Sequence, residues 1–142
     1  MRGISAVVLV SPAIPAQEPN VVASTSGAGV GHVVKITSKA SADSPIARRR
    51  DQTKSENGLI ASGLGYTLLR NNAYMQNFLM LTPAIAKTSS FDSSAGEGRV
   101  GMVDTRDVAA VAAQIAASPA AHREKRPTGP PDPRASPTQT PP

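Results

Sequence analysis

Two short apolar runs constrain this chain more than anything else in it: Ala6–Val10 (AVVLV) and Val33–Thr37 (VVKIT). The first is unbroken, built mainly from β-branched residues and ended by Ser11-Pro12, the mark of a strand buried on both faces. The second is entered through the glycine-rich stretch Gly27–Gly31 (GAGVG). Strands buried on both faces need helices above and below them, so the expected fold class is α/β with a parallel sheet.

The remaining pattern fills in that alternation. Residues 17–29 read as a short irregular helix, with Pro19 tolerable near its start and Ser24–Ser26 and Gly27 weakening its end. Residues 46–62 read as a surface helix that Asp43 or Ser44 can cap, with Pro45 at its first turn and Gly63 closing it. Tyr66–Arg70 (YTLLR) reads as a third strand, and residues 73–86 as a helix whose apolar contacts are Met75, Phe78, Leu79 and Leu81. A polar loop over 88–98 leads to a fourth strand at Val100–Val103, after which Thr105 caps an alanine-rich helix to Ala117. Beyond Ser118 the character changes: eight of the 13 prolines lie in residues 119–142, which no helix or sheet can absorb. The expected organisation is one α/β domain over residues 1–118 and a disordered proline-rich tail over 119–142.

Composition excludes several chemistries. With no cysteine there is no disulfide, thiolate metal site or cysteine nucleophile, and two histidines, His32 and His122, are too few for a histidine-built metal centre. No run of 18 apolar residues spans a membrane. The net charge of +5 is concentrated only at Arg48-Arg49-Arg50, followed at once by Asp51 and with no interleaved aromatics. That pattern reads as a solvated helix start and argues against nucleic acid as a partner. Met1-Arg2, the run Ile4–Val10 and Ala13–Ala16 imitate a secretory signal. The run is short, however, and Ile14 stands where a small residue is required, so the expected location is the cytoplasm.

Isolated motifs carry little. Gly27–Gly31 has the wrong spacing for a dinucleotide turn and precedes a strand instead of following one. Tyr66 and Arg70 sit four apart in a strand, where a tyrosine packing over the sheet is the simpler reading. Asp104 and Asp107 flank Arg106 at a helix start, where carboxylates cap free amides. No G-x-S-x-G elbow exists, and His32 has no evident partner in the sequence.

The combination is more specific. Residues 53–79 (TKSENGLIASGLGYTLLRNNAYMQNFL) contain a helix glutamate, Glu56, then Ser62-Gly63-Leu64, Tyr66-Thr67, Leu69-Arg70, Tyr74 and Asn77. With VLVSPAIP (8–15), AGVGHVVKITS (28–38) and GEGRVGMVDTRDVAAVAA (96–113) in the same order, the chain resembles the NmrA-like family of atypical short-chain dehydrogenase/reductases, of the NAD(P)H-binding quinone- and azo-reductase type. The resemblance covers about residues 6–118. It implies a Rossmann-like, doubly wound parallel sheet that binds NADP or NAD at the C-terminal edge of its strands. Ser11 and Pro12 would face the nicotinamide, Thr37 and Ser38 would line the same crevice, and Asn71 and Tyr74 would border the cofactor or a small-molecule acceptor. The implied reaction is hydride transfer from NAD(P)H to a quinone-like or azo acceptor, with no dedicated catalytic residue.

The departures set further expectations. The family's opening βαβαβ part, with its G-x-x-G-x-x-G turn, has no counterpart here, so the resemblance implies a partial sheet, truncated at both ends, with weakened or lost activity. A non-catalytic dinucleotide-sensing regulator or interaction module, or an inactive gene remnant from a shifted reading frame, are the alternatives. Many members carry histidine where this chain has Gln52, and proline where it has Asn71. Without its family neighbour, Ala6–Val10 becomes an open edge that favours self-association.

Overall fold

A computed structural model describes residues 3–11, 17–93 and 96–122. Within them three strands form one parallel sheet: β1 (Ala6–Val10), β2 (His32–Ser38) and β3 (Gly65–Asn71), in spatial order β1-β2-β3. The register sets Val8 beside Val34 and Val34 beside Thr67. Two crossover helices, α1 (Glu18–Gly27) and α2 (Ala47–Ala61), pack with one face, while α4 (Thr105–Ala117) covers the other. Among the described residues no helix is long and apolar enough to cross a membrane.

Strand periodicity sorts the core into two layers. Val33 joins Leu9, Leu59 and Tyr66 on the α1–α2 side, and Val34 joins Ala112 and Ile115 under α4. β2 is central and buried along most of its length, as its apolar run predicts. β1 is not. Leu9 is buried at 7 % exposure, but Val8 and Val10 stand 41 % and 72 % exposed, against the expectation of burial on both faces. The reason is the helix opposite. Ala109, Ala112 and Ala113 of α4 have no bulk to reach β1, leaving a groove of about 410 Å³ lined by Val8, Val10 and Ile36.

Other differences from the sequence reading are local. The helix expected over 73–86 is a short strand β4 (Ala73–Tyr74), a 3₁₀ segment (Met75–Leu81) and a helix α3 (Thr82–Thr88). Pro83 falls in the first turn of α3, so a helical hydrogen-bond ladder restarts there instead of running through. Met75, Phe78 and Leu79 are exposed instead of forming the expected packing face. The expected fourth strand shrinks to β5 (Met102–Val103), which pairs in parallel with β4 as a separate two-stranded sheet.

Helix ends follow side-chain chemistry. α4 is capped by Asp104, not Thr105: its carboxylate accepts from the Arg106 backbone amide at 2.8 Å. α2 has no side-chain cap, although Ser44 Oγ accepts from the Ile46 amide at 3.2 Å. At the end of α2 the chain turns through Gly63 at φ +79°, a left-handed conformation that glycine adopts without strain. Pro119–His122, at the start of the expected tail, makes a 3₁₀ turn; the rest of the tail, like Pro12 and the signal-like Met1-Arg2 and Ala13–Ala16, lies outside the described residues.

Candidate functional site

The C-terminal ends of three parallel strands converge on one crevice, the position where open α/β sheets take their ligands. Two adjoining hollows of about 290 and 270 Å³ make it up, sharing Thr37, Ser38, Arg48 and Tyr74. Of the residues expected there, Ser11, Thr37, Ser38, Asn71 and Tyr74 all line it.

Four of these five side chains are held by identifiable contacts. Thr37 ends β2, and its hydroxyl donates to Glu56 Oε1 at 2.7 Å. Glu56, buried on α2, also accepts from Arg70 Nη2 at 2.7 Å, so one carboxylate ties α2 to the ends of β2 and β3. Asn71 Nδ2 donates to the Leu69 carbonyl at 3.3 Å and lies 3.5 Å from the Tyr74 hydroxyl. Ser11 leaves β1 and donates to Glu18 Oε1.

Glu18 belongs to a buried ion pair beneath the crevice. Lys35, fully buried in mid-β2, places Nζ 2.6 Å from both Glu18 oxygens. Burial raises the Glu18 carboxyl, but hydrogen bonds from Lys35 and Ser11 outweigh it and hold the group below its ordinary range. The lysine that interrupts VVKIT faces α1, where Glu18 meets it.

The motif around Tyr66 is structural too. Tyr66 packs in the core with Leu9 and Val33. Thr67 meets His32 Nε2 at 3.0 Å, giving His32 the partner its sequence context did not reveal. Gln76, which no motif marked, donates to Asp104 Oδ1 at 2.8 Å and accepts from the Thr105 amide at 3.0 Å, fastening the 3₁₀ segment to α4. Arg106, through its side chain and its backbone amide, holds the Asp104 carboxyl well below the usual carboxylate range. Capping accounts for that carboxylate, as the sequence suggested.

The sequence reading missed several lining residues: Lys39, Arg48, Arg49, Gln52, Asn72 and Asn77. Helical spacing could have signalled two of them, since Arg48 and Gln52 precede Glu56 at steps of four on one face of α2, and the family pattern already carried the positions of Gln52 and Asn77. Gln52 is 4 % exposed, and its Nε2 has no hydrogen-bond partner within the protein. An unpaired buried amide is costly, and it borders the crevice beside Ser11, Thr37 and Ser38. That donor and those hydroxyls can pair with the carbonyl and amide groups of a ligand. Among the described residues no cluster of histidine and carboxylate side chains could hold a metal ion.

No family model matches the chain. It is 34% identical over 135 residues to the NAD(P)H azoreductase of Xenophilus azovorans, covering 92% of this chain and 47% of that protein. Quinone oxidoreductase 2 of Escherichia coli strain K12 is 33% identical over 130 residues, covering 88% of this chain and 45% of that protein. The crystal structure of an NADPH-dependent quinone oxidoreductase from Escherichia coli, complexed with NADPH, superposes with a TM-score of 0.72 at 29% identity, over 82% of this chain and 43% of that one. The chain thus spans a little under half the length of the curated relatives it matches.

Proposed function

We propose, for a chain that belongs to the NmrA-like family of atypical short-chain dehydrogenase/reductases, that the crevice receives the nicotinamide of NADP(H) or NAD(H) beside a quinone-like or azo acceptor. The observation that carries this reading is the convergence of Ser11, Thr37, Ser38, Asn71 and Tyr74 around two adjoining hollows, one of which is also bordered by Gln52, whose buried amide nitrogen has no partner within the protein. Ser11 and Gln52 would hold the carboxamide, and Thr37 and Ser38 the adjoining ribose side. Asn71 and Tyr74 would border the acceptor. When bound, the nicotinamide supplies a hydride that, with a proton from solvent, reduces a quinone to its hydroquinone and leaves the oxidised cofactor.

The side chains bind, orient and limit water. Glu56 takes the Thr37 hydroxyl proton in a hydrogen bond, leaving that oxygen able to accept, and Val10 and Ile36 add an apolar wall for a planar ring. No lining group has to exchange a proton for this chemistry, because a quinone oxygen can take its proton from water. We place this activity in the cytoplasm and assign the open side of β1 to pairing with a second copy of the chain.

The test is to mix the purified chain with NADPH and a quinone and follow NADPH oxidation. Turnover that falls at least about tenfold in Gln52→Leu, or about 1.4 kcal/mol, supports the reading. NADPH binding without turnover selects the non-catalytic dinucleotide-binding alternative. Absence of both binding and turnover contradicts the proposal.

A further inference from the structure

Around the crevice the charge is one-sided. Lys39, Arg48 and Arg49 line it, and no carboxylate does. Among the described residues, ion pairs join Lys35 to Glu18, Lys54 to Asp51, Arg70 to Glu56 and Arg106 to Asp104; none engages these three cations. Two of the three stand in the first turn of α2, which contains no acidic residue. Free backbone amides and the helix dipole already make that end positive, so added arginines repel it instead of complementing it. The result is a concentrated positive potential that the described residues leave unneutralised.

A second observation makes this more than a charged helix end. Gln52, one turn on from Arg48, borders the adjoining hollow that Arg48 also lines, and its buried Nε2 has no partner within the protein. A donor buried without an acceptor in the protein leaves a bonding position that a water or ligand oxygen can take. Next to these donors lies an apolar wall of Val10, Ile36 and the Tyr74 ring. The site therefore offers a hydrophobic slot that ends in fixed donors and three free cations.

We infer that the acceptor bound in this crevice is a planar apolar molecule carrying an anionic substituent, a carboxylate, sulfonate or phosphate, which Lys39, Arg48 and Arg49 hold while Gln52 keeps the nicotinamide carboxamide in place beside it. This rests on the reductase reading for the identity of the crevice and goes beyond it in naming the charge class of the substrate. Charge-assisted contacts of this kind are strong where the groups are partly shielded, and arginine forks suit all three oxyanions.

The test uses the purified 142-residue chain and amide NMR titrations with three probes: 1,4-naphthoquinone-2-sulfonate, neutral 2-methyl-1,4-naphthoquinone and NADPH. The expected result is binding of the sulfonate about tenfold tighter than the neutral quinone at low salt. That preference collapses at about 0.5 M salt, where screening is nearly complete over the distances involved. It vanishes in Arg48→Ala/Arg49→Ala and survives in Arg48→Lys/Arg49→Lys, the retained spectrum of each variant reporting its fold. Equal affinity for the two quinones, or a preference indifferent to salt and to the alanine pair, overturns the inference while the reductase reading stands on NADPH and quinone binding. Failure of NADPH and both quinones to bind overturns both.

Discussion

β1 and β2 begin as near-equivalent stretches of sequence, two short runs of β-branched residues, and end in opposite surroundings. In β2 even a lysine is fully buried; in β1 a valine is 72 % exposed. Position in the sheet, not hydropathy, decides which. β2 has strands on both sides and helices on both faces, so His32 through Lys35 are enclosed by protein, and Lys35 persists only because Glu18 meets it there. β1 lies at the edge of its sheet beneath an alanine-rich helix, and its apolar side chains find little to touch. A buried charge thus depends on a single partner, whereas an exposed valine depends on none.

That contrast can be broken most sharply at Lys35. Lys35→Ala leaves the Glu18 carboxylate buried without its cation, and we expect a loss of about 3–5 kcal/mol in urea unfolding. The double change Lys35→Met/Glu18→Leu should recover most of it, since an apolar pair of similar volume carries no desolvation cost. A double variant no more stable than the single one would show that Lys35 acts through something other than Glu18.

Within β1 the two faces should part company. Leu9→Ala removes a core side chain and should cost about 2–5 kcal/mol, while Val10→Ala should fall within about 0.5 kcal/mol of the parent. Similar losses at both positions would mean that the groove beside Val10 is filled in solution.

Acid sharpens the same comparison. The folded-state Glu18 carboxyl lies below its ordinary range, so the folded state holds fewer protons there than the unfolded one. Its contribution is therefore complete above the ordinary carboxylate range and fades as pH falls through the lowered value. Stability measured by urea midpoint from neutral pH downward should decline more steeply in the parent than in Lys35→Met/Glu18→Leu. Parallel declines would remove Glu18 from the account. The smallest effect concerns association: Val10→Lys should leave stability almost unchanged and reduce any sedimentation-detected self-association through the β1 edge.

Much of this was legible in the sequence, for physical reasons that differ by element. The alanine-rich helix stops at Ala117 as its run of helix formers says and starts one residue earlier than expected, because Asp104 and not Thr105 caps it. The strands at Ala6–Val10 and around Val33–Thr37 were readable because β-branched runs have few other homes. Residues 73–86 misled because their apolar spacing suits a helix, while Pro83 and the pairing of β4 with β5 act against one. Burial of Lys35 and exposure of Val10 depend on neighbours distant in sequence, which a local pattern does not encode. At the crevice, residues carried over from the family resemblance lay together, but Gln52, Arg48 and Arg49 looked like ordinary helix surface until β2 and β3 were set beside them.

The most direct test of the central claim, that the C-terminal edge of the sheet forms a nicotinamide crevice, is the amide NMR spectrum of the chain with and without excess NADPH. The account predicts dispersed resonances whose largest shifts fall on Ser11, Thr37, Ser38, Asn71 and Tyr74, together with the side-chain amide of Gln52. A spectrum unmoved by NADPH, or shifts confined to the opposite edge of the strands, would contradict it.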